Sequence, residues 1–321
     1  IRIEGCVSCV APSAITATII TYDSTLVQFT PYGGAGSTVI EYGPAGFALG
    51  TGTIITTSVD SAFLTGLSGA TNYNVYLFSD CAGSTGDSST IAGPISFLTP
   101  CAPFTPTYIE DFTTWTGTTT LPICWEEYDQ VTPATIGAAT PNNNGQWLQD
   151  GFANNAASPF SVTATVGSAS IELWNQTDND WLVSPEMDLT AGGPYQLDYN
   201  WIISQWSTYV AGQILGDDFV AVLITDDNGA TWTELGRYDS TTIVPLSLIG
   251  QTAVFDLTVY AGSVVRIGFW GSEGTVDDPS DIKFFLDNFR VRPIPSCPEP
   301  TVLSSSNVTD VTVDLAWTEN G

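Results

Sequence analysis

The sequence predicts an all-β protein, and three observations carry that reading. Short segments that are β-branched or aromatic, many of them alternating apolar with polar side chains, recur along the chain. Clusters of Gly, Asp, Asn, Ser and Pro separate them, as turns between strands require. No stretch holds the i, i+3, i+4, i+7 apolar spacing of a helix. In chain order the clearest strands are Thr53-Ile-Ile-Thr-Thr, Tyr73-Asn-Val-Tyr-Leu-Phe, Phe219-Val-Ala-Val-Leu-Ile and Val264-Val-Arg-Ile-Gly-Phe-Trp.

The 321 residues include 34 acidic and 6 basic side chains and no histidine, for a formal charge of −28. Nucleic acid and anionic membranes both demand a basic footprint, so neither is expected as a partner. Hydrophobic residues make up 43% and charged ones 12%, enough apolar surface to bury a core despite the charge. Without histidine there is no His-based triad and the commonest zinc ligand is missing, which leaves paired carboxylates as the main catalytic option. No apolar run approaches the roughly 18 residues of a membrane span. No positively charged leader precedes Ile1, so the chain reads as an internal fragment or a processed product. Six cysteines include one close pair, Cys6 and Cys9, with no second such pair to complete a zinc site; they read as disulfide partners in an oxidising, extracellular setting.

The chain repeats itself. At an offset of 288 residues the first 33 residues align without gaps to the last 33, with seven identities: Arg2/Arg290, Ser8/Ser296, Cys9/Cys297, Pro12/Pro300, Thr21/Thr309, Thr30/Thr318 and Gly33/Gly321. Phe29 falls on Trp317. Within the period, Pro- and Cys-rich joints at Thr99-Pro-Cys101-Ala-Pro and at Arg292-Pro-Ile-Pro-Ser-Cys297 mark stiff linkers. The expected domains are therefore residues 1–8 (the end of a preceding large module), 9–100 (a small module), 101–295 (a large module) and 296–321 (the start of the next small module).

Residues 10–100 carry a seven-strand sandwich pattern. With Phe29 at the position of a core strand aromatic, and with Leu67 six residues ahead of Tyr73, the segment resembles a fibronectin type III domain. The resemblance implies core roles for all three residues and a Tyr73 hydroxyl bonded to nearby backbone. No Lys, Arg or Arg-Gly-Asp triplet occurs in the segment, so integrin binding is not supported. In that topology Cys9, before the first strand, and Cys81, at the end of the penultimate one, share a pole, which predicts a bridge contributing about 4 kcal/mol.

Residues 101–295 hold 24 of the acidic residues and 5 of the basic ones, a formal charge of −19. The order Cys101, Glu110-Asp111-Phe112, Cys124-Trp125, Asp180-Trp-Leu-Val-Ser-Pro185, Asp218, Trp232 and Leu286-Asp287-Asn288 resembles the jelly-roll modules of the MAM and cleaved-adhesin type. That resemblance implies a Cys101–Cys124 disulfide. It also implies a structural Ca²⁺ held by Glu110 and Asp287, with Asp111, Asp217 and Asp218 as further ligands. The alternation of modules, and the phrase Ile40-Glu-Tyr-Gly-Pro-Ala-Gly-Phe47-Ala-Leu-Gly-Thr-Gly, resemble surface proteins of gliding and polysaccharide-degrading Bacteroidota, which implies type IX secretion.

Other motifs have plainer readings. Thr225-Asp-Asp-Asn-Gly-Ala-Thr-Trp232 resembles an Asp-box and reads as a hairpin turn rather than an EF-hand, because it lacks the terminal glutamate. The loop Asp277-Asp278-Pro-Ser-Asp281 reads as solvated or as a second cation site. Most of the ten tryptophans read as core, leaving Trp201 and Trp206 as candidates for stacking on sugars. Asp23-Ser-Thr, Asp60-Ser-Ala and Asp239-Ser-Thr match an O-glycosylation pattern of Bacteroidota. Glu126 and Glu127, adjacent on a strand, point to opposite faces and cannot converge on one glycosidic bond.

The expected function is that of a non-enzymatic repeat segment of an extracellular adhesin or surface filament. Its partners are neighbouring repeats, surface glycans or other cell-surface proteins, with no membrane insertion. The alternative is a pair of carbohydrate-binding accessory modules of a secreted polysaccharide-degrading enzyme. Cys6, which aligns with Ile294, is expected to pair outside this segment.

Overall fold

The computed structural model describes residues 9–81, 88–115, 120–142, 145–150, 167–174, 179–206, 210–244, 250–276, 281–296 and 301–318. Cys6, Cys297, the Ser207–Tyr209 loop and Asp277 and Asp278 lie outside them. The chain separates into two compact units at Ala102/Pro103, two residues beyond the joint read from the sequence.

The first unit has seven strands: β1 (Ser13–Thr18), β2 (Ser24–Thr30), β3 (Ser37–Pro44), β4 (Thr53–Thr57), β5 (Ser61–Thr65), β6 (Asn72–Asp80) and β7 (Ala92–Leu98). They form a β1-β2-β5 sheet and a β4-β3-β6-β7 sheet, all pairs antiparallel, which is the strand order of a fibronectin type III-like sandwich. Alternation decides what goes inside. β6 reads exposed, then buried at every second position, so that Tyr73, Val75 and Leu77 meet Val27, Phe29, Ile40, Tyr42, Leu64, Leu67 and Phe97 in one core. Tyr73 stacks on Phe97 with ring centroids 5.6 Å apart, and its hydroxyl accepts the Ser68 N–H at 2.8 Å.

The phrase around Glu41 has a local structural purpose. Glu41 is buried, and its Oε1 accepts the N–H groups of Gly50 (2.6 Å) and Gly52 (2.9 Å), folding the β3–β4 loop back onto the strand. Gly52 has no room for a side chain: a Cβ there would lie 2.5 Å from the Phe47 ring and 2.7 Å from the Tyr42 carbonyl. Gly50 sits at φ 87°, a left-handed conformation that glycine adopts at little cost.

The second unit is a larger sandwich. Its strands are β8 (Tyr108–Glu110), β9 (Glu126–Tyr128), β10 (Trp147–Asp150), β11 (Ser168–Leu173), β12 (Asn179–Val183), β13 (Met187–Asp188), β14 (Tyr195–Gln205), β15 (Phe219–Thr225), β16 (Thr233–Tyr238), β17 (Gln251–Asp256), β18 (Val264–Ser272) and β19 (Ile282–Pro293). One sheet runs β10-β11-β19-β14-β17 with β8 added on β19; the other runs β16-β15-β18-β12-β9 with β13 on β18. Between them Ile171, Leu197, Tyr199, Phe284 and Leu286 of the first sheet pack with Leu182, Val220, Val222, Ile267 and Phe269 of the second. The outer face of the second sheet is covered as well. Trp181, Val183, Ala221 and Leu223 pack under Ile136, and the Trp181 indole donates to the Val131 carbonyl at 2.9 Å. Burial on both faces explains why β15 is apolar from Phe219 to Ile224 instead of alternating.

Two further strands, β20 (Thr301–Ser306) and β21 (Asp314–Thr318), form a hairpin. Its geometry copies that of β1–β2 at a constant offset of 288 residues. Ser13↔Thr30, Thr16↔Gln28, Ala17↔Val27 and Thr18↔Leu26 correspond to Thr301↔Thr318, Ser304↔Ala316, Ser305↔Leu315 and Ser306↔Asp314, with the register irregularity at the same place. The left-handed residue recurs too, Ile19 (φ 51°) and Asn307 (φ 49°), as does the turn bond Thr21 N–H to Ser24 O, repeated from Thr309 to Thr312. The side chains differ in exposure: Val27 and Phe29 are buried, whereas Leu315 and Trp317 are 57% and 51% exposed.

Candidate functional site

The five carboxylates proposed as cation ligands do not gather into one donor set. Glu110, Asp111 and Asp287 belong to the β8–β19 pair, whereas Asp217 and Asp218 precede β15 in the other sheet. Among the described residues no group of three or more His, Cys, Asp or Glu side chains is placed to hold a metal ion. Asp111 is spent on its own turn, its Oδ1 accepting the Thr113 N–H (3.1 Å) and hydroxyl (2.7 Å). Asp217 closes another turn, accepting Thr275 N–H (2.7 Å), the Thr275 hydroxyl (2.8 Å) and Val276 N–H (3.2 Å), and these bonds lower its pKa. Asp218 is buried and leads into β15.

Glu110 and Asp287 are the pair that stays close. Glu110 sits opposite Phe289 in the β8–β19 register, two residues from Asp287 along the neighbouring strand. Both are buried, Asp287 completely. Glu110 Oε1 accepts the Phe112 N–H at 2.8 Å, and burial raises its pKa. Calcium prefers six to eight oxygens, so two carboxylates would leave most of the shell to backbone carbonyls and water.

The Asp111 arrangement recurs and has a sequence signature. In Asp-x-Thr triplets the aspartate accepts from the threonine two residues on: Asp188 with Thr190, Asp239 with Thr241, and Asp256 with Thr258. Each of these aspartates has a lowered pKa, caused first by its threonine. Asp239, one of the candidate glycosylation triplets, is thus also a turn cap.

The Asp-box-like segment is a hairpin between β15 and β16. Asp227 Oδ1 accepts the Thr225 hydroxyl (2.8 Å) and Thr231 N–H (2.9 Å), and Oδ2 accepts the Thr231 hydroxyl (2.6 Å), which holds its pKa down to about 2. Asn228 and Gly229 take positive φ values, and Trp232 packs on Trp181 with centroids 5.1 Å apart.

Glu126 and Glu127 do diverge. Glu126 pairs with Arg266 at 2.5 Å and accepts the Tyr128 hydroxyl at 2.7 Å. Glu127 is buried, accepts the Trp147 N–H at 2.9 Å and lies against Gly145, where a Cβ would be 2.6 Å from Glu127 Oε1 and 3.0 Å from Asp180 Oδ1. Burial pushes the Glu127 carboxyl up to about 7.

Of the two candidate stacking tryptophans, Trp201 is excluded. It is buried against Tyr238 (4.4 Å) and Phe284 (6.3 Å), on the inner face of β14. Trp206 is 48% exposed. Cys9 and Cys81 form a disulfide with Cα atoms 6.1 Å apart, and Cys101 and Cys124 are also disulfide-bonded.

A feature not read from the sequence is Asp198. It is fully buried, and Arg290 and Arg292 of β19 converge on it, Arg292 Nε at 2.7 Å. The scarcity of basic residues was its available signal. Each of the five described cations is ion-paired, the others as Arg237–Glu234, Arg266–Glu126 and Lys283–Glu172.

Fold and side chains together define a chain of two disulfide-bearing β-sandwiches, the first fibronectin type III-like. No protein-family model matches the chain, and no curated protein does. Among solved structures it is similar to the fn3 domain of the human collagen alpha-1(XX) chain (23% identity, TM-score 0.27, 32% of this chain and 96% of that one). It is also similar to the FN5 domain of Drosophila Lar (18% identity, TM-score 0.25, 29% of this chain and 99% of that one). The fold assignment rests on the strand order and register described above.

Proposed function

We propose that this chain is a segment of a non-enzymatic tandem array in which fibronectin type III-like and larger sandwiches alternate, serving outside the cell as a surface adhesin or filament. The observation that carries the proposal is the hairpin β20–β21, which copies the register, bulge and turn of β1–β2 after 288 residues. Sequence similarity alone is a weaker argument than a shared irregularity in the same place. Disulfides fit an oxidising compartment. No helix among the described residues is long and apolar enough to cross a membrane. Export by the type IX route of Bacteroidota, and one structural calcium ion at Glu110 and Asp287, belong to the same proposal.

Small-angle scattering of recombinant chains spanning one, two and three periods tests the array. Its maximum dimension is expected to grow in proportion to the number of periods; a dimension that stays constant would refute an extended array. Antibodies against this chain should bind intact source cells and block their attachment, and binding only after lysis would rule out the surface role.

A further inference from the structure

We propose that the edge strand β4 of the first unit is a self-association surface, on which β4 of a second copy of this chain pairs antiparallel about Ile55. An edge strand turns every second backbone N–H and C=O to solvent, and it templates pairing with another chain unless charge, proline, a bulge or a cover prevents it. β4 ends the β4-β3-β6-β7 sheet, and Thr53, Ile54 and Thr56 are exposed. Its five residues, Thr-Ile-Ile-Thr-Thr, carry no charge. Its register with β3 runs without a bulge from Thr38↔Thr57 to Tyr42↔Thr53.

The other described edges are blunted. In the larger unit β8, β9, β10, β13, β16 and β17 each contain an acidic residue. In the first unit β1 is bulged between Ser13 and Thr16, and β7 carries Pro94 and faces a bulge between Val75 and Leu77. β20 repeats the bulge of β1, and β21 begins at Asp314. β5 is uncharged as well, but only Thr65 of its residues is β-branched, whereas every residue of β4 is.

Symmetry and charge choose the occupant. A two-fold axis at Ile55 sets Thr53 opposite Thr57 of the second copy, Ile54 opposite Thr56, and Ile55 opposite its own equivalent. Every cross-strand pair is then β-branched on β-branched, the kind that stabilises antiparallel sheets. On the inner face Leu77 lies opposite Ile40 and Ile40 opposite Ile55, which packs against the core those two belong to. The axis continues that row into the core of the second copy. On the outer face Ile54, 57% exposed, leaves solvent for contact with Thr56. A chain of −28 repels its own copies, so they meet at least cost where neither presents charge. The run from Gly43 to Val59 has none, and Glu41 on neighbouring β3 is buried with Oε1 turned to the Gly50 and Gly52 N–H groups. A basic partner, the kind the net charge attracts, finds no carboxylate on β4 to recognise. Five residues give a contact about 17 Å long and one strand deep. That is less than the roughly 800 Å² per side of a stable complex, so the dimer is weak and reversible.

The pairing needs one β4 per chain and stands or fails apart from the array reading. Sedimentation equilibrium of the 321-residue chain from about 10 μM to about 1 mM tests it. The average mass should rise from 34.1 kDa toward twice that value, and more so at high salt, which screens the repulsion. Hydrogen exchange of the Thr53–Thr57 amides should slow as the dimer forms. Ile54→Lys should abolish association without moving the urea midpoint of the small unit, because the side chain is exposed. Lysine lowers the net charge, so general repulsion does not explain that loss. Phe63→Lys and Trp317→Lys, at the exposed apolar residues of β5 and β21, should leave the dimer intact. A chain that stays monomeric throughout, a dimer that survives Ile54→Lys, or one lost in Phe63→Lys or Trp317→Lys would each overturn the proposal.

Discussion

Replacing Glu127 by Gln should remove a pH dependence of stability that the wild-type larger sandwich shows between about pH 4.5 and pH 7. Glu127 is 1% exposed, and burial raises its carboxyl to about 7 from the ordinary 4.5. Because the folded pKa is the higher one, the native state binds the proton more tightly. Stability from this group is therefore complete below pH 4.5 and is lost as the pH rises through 7. At 1.36 kcal/mol per unit, the loss is about 3 kcal/mol, or roughly 6 to 12 °C in the midpoint of a domain this size. Glutamine keeps a carbonyl to accept the Trp147 N–H and carries no charge to bury. All tryptophans but Trp317 lie between residues 115 and 270, and none lies in the small unit, so tryptophan fluorescence in urea follows the larger sandwich. The difference between wild type and Glu127→Gln should shift by about 3 kcal/mol in favour of the variant from pH 4.5 to pH 8. Subtraction cancels Glu110, whose raised carboxyl acts in the same direction. Aspartates with lowered pKa values, such as Asp227, lose their stabilising contribution only as the pH falls below about 4, outside the window. Parallel pH profiles for wild type and variant would refute the reasoning.

Three more outcomes are expected. Replacing Cys9 and Cys81 by Ala opens a bridge with a sequence separation of 72 and should cost the small unit about 4 kcal/mol, read from circular dichroism in urea; an unchanged midpoint would count against it. Asp198→Asn strips the charge from a fully buried carboxylate that holds two arginines and should cost about 3 to 5 kcal/mol in the fluorescence assay, against near zero for an exposed aspartate such as Asp226. Calcium added to chelator-treated protein should give heat in titration calorimetry that Asp287→Asn abolishes and Asp217→Asn leaves intact. Equal loss in both variants would contradict the division of these residues between two sheets.

The strands were legible because alternation and turn residues are local, and the Cys9–Cys81 pair followed from topology once the sandwich was recognised. The carboxylate assignments were less legible. A triplet such as Asp111-Phe-Thr113 advertises a turn cap, and that local bond competes with any metal for the same oxygens. Trp201 lies within β14 and is turned into the core, whereas Trp206 follows the strand's last residue, Gln205; which face of β14 is buried depends on the partner sheet. Asp198 could not be read at all, since its arginines come from 92 and 94 residues away. Glu127 shows the same limit: alternation separates it from Glu126, but only the packed sandwich reveals which of the two is sealed inside.

Ion pairing of the five described cations has a consequence for resistance to proteolysis. Between Arg2 and Arg237 the chain contains no Lys or Arg, so a protease of trypsin-like specificity meets no cleavage site across residues 9–100 and the first two thirds of the large module. From Arg237 onward the sites are Arg237, Arg266, Lys283 and Arg290, since Pro293 protects the bond after Arg292; all four lie within hydrogen-bonded strands, each with its side chain clamped to a carboxylate. Cutting there requires a strand to leave its sheet first, which makes digestion by such enzymes a measure of unfolding rather than of exposure.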